Sequence, residues 1–356
     1  MSQKKRTAAD TISKIKAIRG RELSVETLMD GIIQGDKALL AKAITLLESE
    51  QPAHYEKADA LVEKCLSRSK PSIRLGITGV PGVGKSSCIE ALGSQLTAAG
   101  KQVAVLAVDP SSSLSKGSIL GDKTRMQALS NNPRAFIRPS PSGTALGGVA
   151  RKTRESIVLC EAAGYEVILV ETVGVGQSEI AVANMVDFFL LLQLAGAGDE
   201  LQGIKRGIME MADAMAINKA DGDNLQAARQ ARTEFKRALH LYPPKENGWV
   251  PPVTLCSSTE NSGIVELWEV VEDFVARGRK SGHFEKNRQV QNRHWFLQSI
   301  DHQLKRLIGQ DPNFKKRQAA LVKKVEAGKI SPFYAAKILM GQLELKDLNL
   351  HRSKTQ

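Results

Sequence analysis

Gly79-Val80-Pro81-Gly82-Val83-Gly84-Lys85-Ser86 has the spacing G-x-x-x-x-G-K-[ST]. An apolar run, Ile73 to Thr78, precedes it, and a helical pattern, Ser87 to Leu96, follows. Strand, glycine-rich loop and helix in that order form a phosphate-binding P-loop. The glycines let backbone N–H groups turn toward phosphate oxygens, and the helix adds the positive end of its dipole. Lys85 is expected to supply a point charge to the outer phosphates, and Ser86 a hydroxyl to Mg²⁺. The expected phosphate site runs over Gly79, Val80, Pro81, Gly82, Val83, Gly84, Lys85, Ser86 and Ser87.

Six further apolar runs stand beside Ile73–Thr78. They are Val103–Val108, Ala135–Ile137, Val167–Val170, Phe188–Leu194, Ala214–Ile217 and Val253–Leu255. Helical patterns separate most of them. Continuous apolar runs alternating with helices predict an α/β fold, with a mostly parallel sheet covered on both faces. Ligands then bind at the carboxyl ends of the strands. Residues 10–69 and 276–342 read as helices, with starts at Ser24 and Asp36 and breaks at Gly282, Asp311-Pro312 and Ser331-Pro332. The expected division is an N-terminal helical region 1–70, a P-loop domain 71–276, a C-terminal helical region 277–342 and a tail 343–356.

Asn218-Lys219-Ala220-Asp221 follows the run Ala214–Ile217. N-K-x-D is the pattern of guanine recognition. One carboxylate accepts from both N1–H and the 2-amino group of guanine, a donor pair that adenine lacks. Asp221 takes that role, Asn218 braces the loops, and the Lys219 stem covers the base. Ser257-Ser258-Thr259 follows Leu255-Cys256 and suits a loop whose backbone meets guanine O6.

Val167 to Gly174 occupies the place of a Walker B strand, with Glu171 where many GTPases carry Asp. A carboxylate there serves the Mg²⁺ shell. Val175 stands where many small GTPases place a water-orienting Gln, so intrinsic hydrolysis should be slow. Asp109 and Asp122 frame a polar segment suited to a switch. Each is either a metal-shell or water-positioning residue, or a helix cap. Gly196 to Gly207 carries Lys205, which either reaches a phosphate or acidic partner or decorates a surface loop.

The chain is 356 residues long, 42% hydrophobic and 25% charged, as in ordinary globular proteins. No apolar stretch approaches the ~18 residues of a membrane span. The basic N-terminus lacks the apolar core of a secretory signal, so a cytoplasmic setting is expected. Cys65, Cys88, Cys160 and Cys256 are widely spaced and read as reduced thiols. From Arg277 onward lie 18 of the 50 Lys and Arg but 6 of the 38 Asp and Glu, so the whole +12 excess sits there. That segment is a solvated face, a protein contact or an acidic-partner surface; no nucleic-acid motif accompanies it.

Taken together, Gly79–Ser86, Asp109–Ser112, Gly117–Met126, Glu171–Glu179, Gly198–Gly207 and Asn218–Asp221 resemble one family: the methylmalonyl-CoA mutase-associated GTPases. These are bacterial relatives of the human methylmalonic aciduria type A protein, and some were once labelled arginine/ornithine transport ATPases or kinases. The resemblance covers about residues 10–345. It implies a homodimeric P-loop GTPase of the signal-recognition/MinD class, using GTP/GDP and Mg²⁺. It further implies a chaperone that gates cofactor delivery to an adenosylcobalamin-dependent acyl-CoA mutase, with a cobalamin adenosyltransferase as a further contact. By position, Lys85 and Ser86 match the family's phosphate and metal residues. Asp109, Asp122 and Glu171 match its metal and hydrolysis residues, and Lys205 matches a lysine that senses the mutase. The C-terminal helices match its dimerisation arm. Cys256-Ser257-Ser258 departs from the commoner Ser-Ala pair in the guanine loop.

Three other readings compete. A nickel metallochaperone GTPase would want clustered His or Cys, whereas His54, His240, His283, His294, His302 and His351 are scattered. A kinase tied to amino-acid transport would normally use ATP, which Asp221 disfavours. A basic nucleic-acid module would rest on residues 277–337.

Overall fold

The computed structural model describes residues 23–109, 126–141, 146–172, 178–196 and 206–341. Seven strands form one sheet: β1 (Ile73–Gly79), β2 (Val103–Asp109), β3 (Ala135–Pro141), β4 (Val167–Thr172), β5 (Phe188–Gln193), β6 (Ala214–Ile217) and β7 (Val253–Leu255). Their order is β3-β2-β4-β1-β5-β6-β7, and every pairing is parallel. Each strand coincides with one of the apolar runs in the sequence. β4 and β5 are buried along their whole length, because parallel strands are covered on both faces.

Alternation along the strands divides the core. Leu75, Ile77, Leu169, Phe188, Leu190 and Leu192 face α4 (Lys85–Ala98) and α10 (Ile264–Ser281). Leu191, Met215 and Ile217 face the other way, toward α8 (Arg206–Met211) and α9 (Leu225–Leu239). α5 (Gln127–Ser130) packs through Leu129 on the α4 side, and α6 (Leu146–Ala162) and α7 (Ser178–Ala183) complete the helices of this domain.

Ahead of the sheet stand α1 (Val25–Ile33), α2 (Lys37–Glu48) and α3 (Pro52–Leu66). Local chemistry starts the first two. Ser24 accepts from the Thr27 N–H, and Asp36 accepts from the N–H groups of Ala38 and Leu39. Leu28, Ile32, Leu40, Ile44 and Leu61 form the buried faces. These helices pack on α6 and are pinned near the edge strand β3. Arg138 of β3 pairs with Glu48, and the Lys152 ammonium donates to the Glu48 carbonyl at 2.7 Å.

The described residues divide into two compact units at Asn287 and Arg288. α11 (His283–Gln310) runs through that division, followed by α12 (Pro312–Glu326) and α13 (Pro332–Gly341). Pro312 and Pro332 each open a helix, where the missing N–H costs nothing. α11 buries Trp295 but leaves other apolar side chains uncovered, with Phe296 65%, Leu297 52% and Leu304 46% exposed. The part of the expected helical region before residue 23 lies outside the described residues. No described helix is long and apolar enough to cross a membrane.

One buried network ties β1 to α6. Arg74 donates to Glu161 through Nε and Nη2, both at 2.7 Å. Ser72 and Ser69 donate to the same carboxylate at 2.6 and 2.8 Å. The Arg74 and Glu161 side chains are only 5% and 3% exposed. Removing one member leaves the other charge buried without its counter-charge. Arg74→Ala is therefore expected to lower the unfolding free energy by about 3–5 kcal/mol. Urea denaturation of variant and parent checks this; a loss under about 1 kcal/mol would mean water replaces the guanidinium.

Candidate functional site

The turn after β1 is shaped by its glycines. Gly84 has φ +93°, and a Cβ there would stand 2.6 Å from Asn218 Nδ2. At Gly79 a Cβ would meet the Leu192 carbonyl oxygen at 2.5 Å. Only glycine fits either place. α4 then begins at Lys85 with no side chain capping its first turn, so its leading N–H groups face the loop. Pro81, Gly82 and Ser87 are exposed, while Val83 anchors the loop in the core.

Lys85 folds back over its own loop. Its ammonium donates to the carbonyls of Gly79 at 2.8 Å and Val80 at 3.1 Å. An ammonium has three donors, so one proton is left for a further acceptor. Burial pushes the Lys85 pKa below the ordinary value of 10.5, against the pull of the Glu171 and Glu179 carboxylates. Glu179, in α7, is itself buried. Nothing in the local sequence marks it beyond its place after the Walker B segment.

Ser86 donates to Glu171 Oε1 at 2.9 Å. The next-strand register places Ala107 beside Glu171 and Val108 beside Thr172. β2 therefore carries the backbone of Asp109 to the same edge of the sheet. The Asp109 side chain, Asp122, Lys205 and Gly174 lie outside the described residues. A hydroxyl and a carboxylate are hard oxygen donors, and this pair fits Mg²⁺ better than a metal sought by thiol or imidazole.

Asn218 joins three loops. Its Nδ2 donates to the Val83 carbonyl in the P-loop at 2.8 Å. Its Oδ1 accepts from the Ser258 hydroxyl at 2.9 Å and the Ser258 N–H at 3.3 Å. The Cys256 thiol also points at Oδ1, at 3.6 Å. Contact with Cys88 and burial both push the Cys256 pKa up, so this thiol stays protonated. Lys219 adopts φ +58°, and its side chain is exposed. That left-handed conformation is uncommon for a residue with a Cβ.

The Asp221 carboxylate is oriented by a contact the sequence did not announce. Ser257, fully buried, donates to Asp221 Oδ2 through a short hydrogen bond, and Thr259 stands 3.4 Å from the same oxygen. Ser257 Oγ also accepts from the Glu260 N–H at 3.1 Å. Sequence reading gave Ser257, Ser258 and Thr259 a backbone role; the side chains of all three reach Asn218 or Asp221.

The family model of the methylmalonyl Co-A mutase-associated GTPase MeaB matches residues 40–313. A probable GTPase of Mycobacterium tuberculosis is 48% identical over 91% of this chain and 96% of its own. The mitochondrial methylmalonic aciduria type A homolog of Mus musculus is 44% identical over 89% of this chain and 79% of its own. A crystal structure described as a LAO/AO transport system kinase superposes with a TM-score of 0.70 at 38% identity, covering 90% of this chain and 98% of its own.

The lowered pKa of Lys85 has a consequence with a definite sign. Between the lowered value and 10.5 the unfolded chain binds the proton and the folded chain does not. Stability from this group therefore rises with pH through that window. Lys85→Met should lose little or no melting temperature at neutral pH without added nucleotide. The parent should gain on the variant as pH climbs toward the ordinary lysine range. Parallel melting curves across pH check this; a constant offset would show that Lys85 is not electrostatically penalised.

Proposed function

The chain belongs to the methylmalonyl-CoA mutase-associated GTPase family, and on that premise we propose that it hydrolyses GTP and serves an adenosylcobalamin-dependent acyl-CoA mutase. The reaction is GTP to GDP and phosphate, by attack of a positioned water. The observation that carries the reading is the Asn218 carboxamide, which bonds the phosphate loop and the base loops at once.

In this reading the P-loop amides and the free Lys85 proton bind the β- and γ-phosphates. Asp221, held by Ser257, accepts the two guanine donors. Lys219 covers the base, and the loop Ser257–Thr259 closes over it. Mg²⁺, when bound by Ser86 with Glu171, Asp109 and Asp122 in its shell, would neutralise charge developing on the phosphate oxygens. Val175 in place of a water-orienting Gln makes basal turnover slow, and the loop with Lys205 couples the mutase to hydrolysis.

The mutase is the proposed client because the family is named for that association. Methylmalonyl-CoA mutase is the first candidate, with a cobalamin adenosyltransferase as a further contact. We assign residues 71–276 to the GTPase domain, 1–70 to an N-terminal region, 277–342 to a dimerisation arm and 343–356 to a tail. The exposed apolar residues of α11, among them Phe296, Leu297 and Ile300, are what a second copy would cover. Four buried free thiols among the described residues suit a reducing compartment, and the cytoplasm is the proposed one.

The deciding experiment is steady-state hydrolysis of GTP, with ATP as control, with and without methylmalonyl-CoA mutase. Slow GTP-selective turnover that rises strongly with the mutase is expected. GTP turnover indifferent to the mutase would keep the GTPase and remove this client. Lys205→Ala should keep the basal rate and lose the stimulation.

The base site has its own test. Asp221→Asn should weaken GTP binding and relax selectivity toward xanthine nucleotides. Ser257→Ala should cost about 1 kcal/mol, or about fivefold in affinity, by freeing the carboxylate. Nucleotide titrations read both; unchanged GTP affinity in Asp221→Asn would take Asp221 out of the base site.

A further inference from the structure

A second concave region lies away from the nucleotide loops, where the C-terminal half of α9 meets the segment entering β7. Its volume is about 680 Å³, within the range of small-molecule sites. Arg232, Lys236 and His240 line it, over a floor that includes Leu239, Val250 and Pro251. No Asp or Glu contributes to the lining. Neither Arg232 nor Lys236 has an ion-pair partner among the described residues.

Cations on a helix are usually a solvated convex face. Here Arg232, Lys236 and His240 are exposed, but they border a concavity that Leu239, Val250 and Pro251 also line. Val250 stays 55% exposed beside them, although its neighbours Trp249 and Pro251 are tucked in. Leu239, His240, Val250 and Pro251 also line an adjoining lobe of about 580 Å³. That lobe reaches Val186, Phe189 and Met209, at the N-terminal ends of β5 and β6. The charges buried in it are answered. Asp213 meets the Lys245 ammonium at 2.5 Å and the Phe189 N–H at 2.8 Å, and Asp187 accepts from the Arg74 N–H at 2.8 Å. Glu210 and Glu246 are exposed. One lobe thus offers exposed positive charge, and the other offers apolar wall beside the exposed carboxylates of Glu210 and Glu246.

We propose that this two-lobed cleft binds an organic anion with an apolar body. A phosphate or carboxylate head is held by Arg232, Lys236 and His240. An aliphatic body lies along Leu239, Val250 and Pro251 toward Phe189 and Met209. The head gains charge-assisted hydrogen bonds, and the body removes the exposed Val250 face from water. The P-loop and base loops occupy the opposite ends of the strands, so the cleft is distinct from the nucleotide site and stands independently of the proposed client.

The test is calorimetric titration of the full chain with octyl phosphate and with octanoate, using octanol and inorganic phosphate as controls. One of the octyl anions is expected to bind once per chain, about tenfold or more tighter than either control. The tighter of the two names the head group. The double variant Arg232→Glu/Lys236→Glu should lose about tenfold or more, with GTP binding retained as evidence of folding. Val250→Asp, a change at an exposed position, should weaken binding through the floor. Failure of both anions to bind, equal binding of octanol, or indifference to both variants would overturn the proposal.

Discussion

The Asn218 carboxamide is the constraint on which the site depends. One side chain donates to the phosphate loop and accepts from the base loop, so neither loop sets its position alone. The bond to Val83 also explains the glycine at position 84. Asn218 Nδ2 occupies the space that a Cβ would need. Asn218 is itself 1% exposed, and its N–H is fixed to the Gln193 carbonyl of β5 at 2.8 Å. A buried residue whose Nδ2, Oδ1 and backbone N–H are all engaged locks its surroundings, since displacement leaves a polar atom without a partner.

The sheet supplies the rigidity behind that amide. β1 sits fourth of seven strands, between β4, which carries Glu171, and β5, which leads to β6 and Asn218. Chemistry-bearing residues separated by more than 130 positions in the chain therefore end at one edge of one sheet. Parallel pairing requires this: every strand points the same way, so the turns after β1, β4 and β6 emerge together. Polar groups at the far ends of the strands are paired separately, by Glu161 on Arg74 and by Lys245 on Asp213.

Much of this was legible because its causes are local. A strand buried on both faces must be apolar at every position, and Phe188-Phe189-Leu190-Leu191-Leu192 has no other reading at that length. Ser24 and Asp36 announce helix starts because their side chains bond N–H groups two or three residues on. The P-loop is legible because glycine spacing and a following Lys-Ser encode one backbone path. What was not legible is pairwise and distant. Ser257 and Asp221 are 36 positions apart, and Arg74 and Glu161 are 87 apart. No periodicity links such partners. Nor can a helical pattern say which apolar positions the chain itself covers, and on α11 Leu297 and Ile300 stay exposed.

The balance at Lys85 shows how the site holds a charge ready. Desolvation disfavours its ammonium, and two carboxylates favour it. Two backbone carbonyls accept from it and hold the side chain along the loop. A lysine stretched into solvent would lose rotamer freedom when it meets a phosphate, whereas one already tied to its own loop has lost that freedom on folding. The same logic applies to Ser86 and Glu171, whose hydrogen bond sets the hydroxyl beside the carboxylate on folding. Folding therefore bears the ordering cost of the site. Phosphate binding then meets groups already in place, so less of the contact energy goes into ordering and the position of a bound phosphate is better defined.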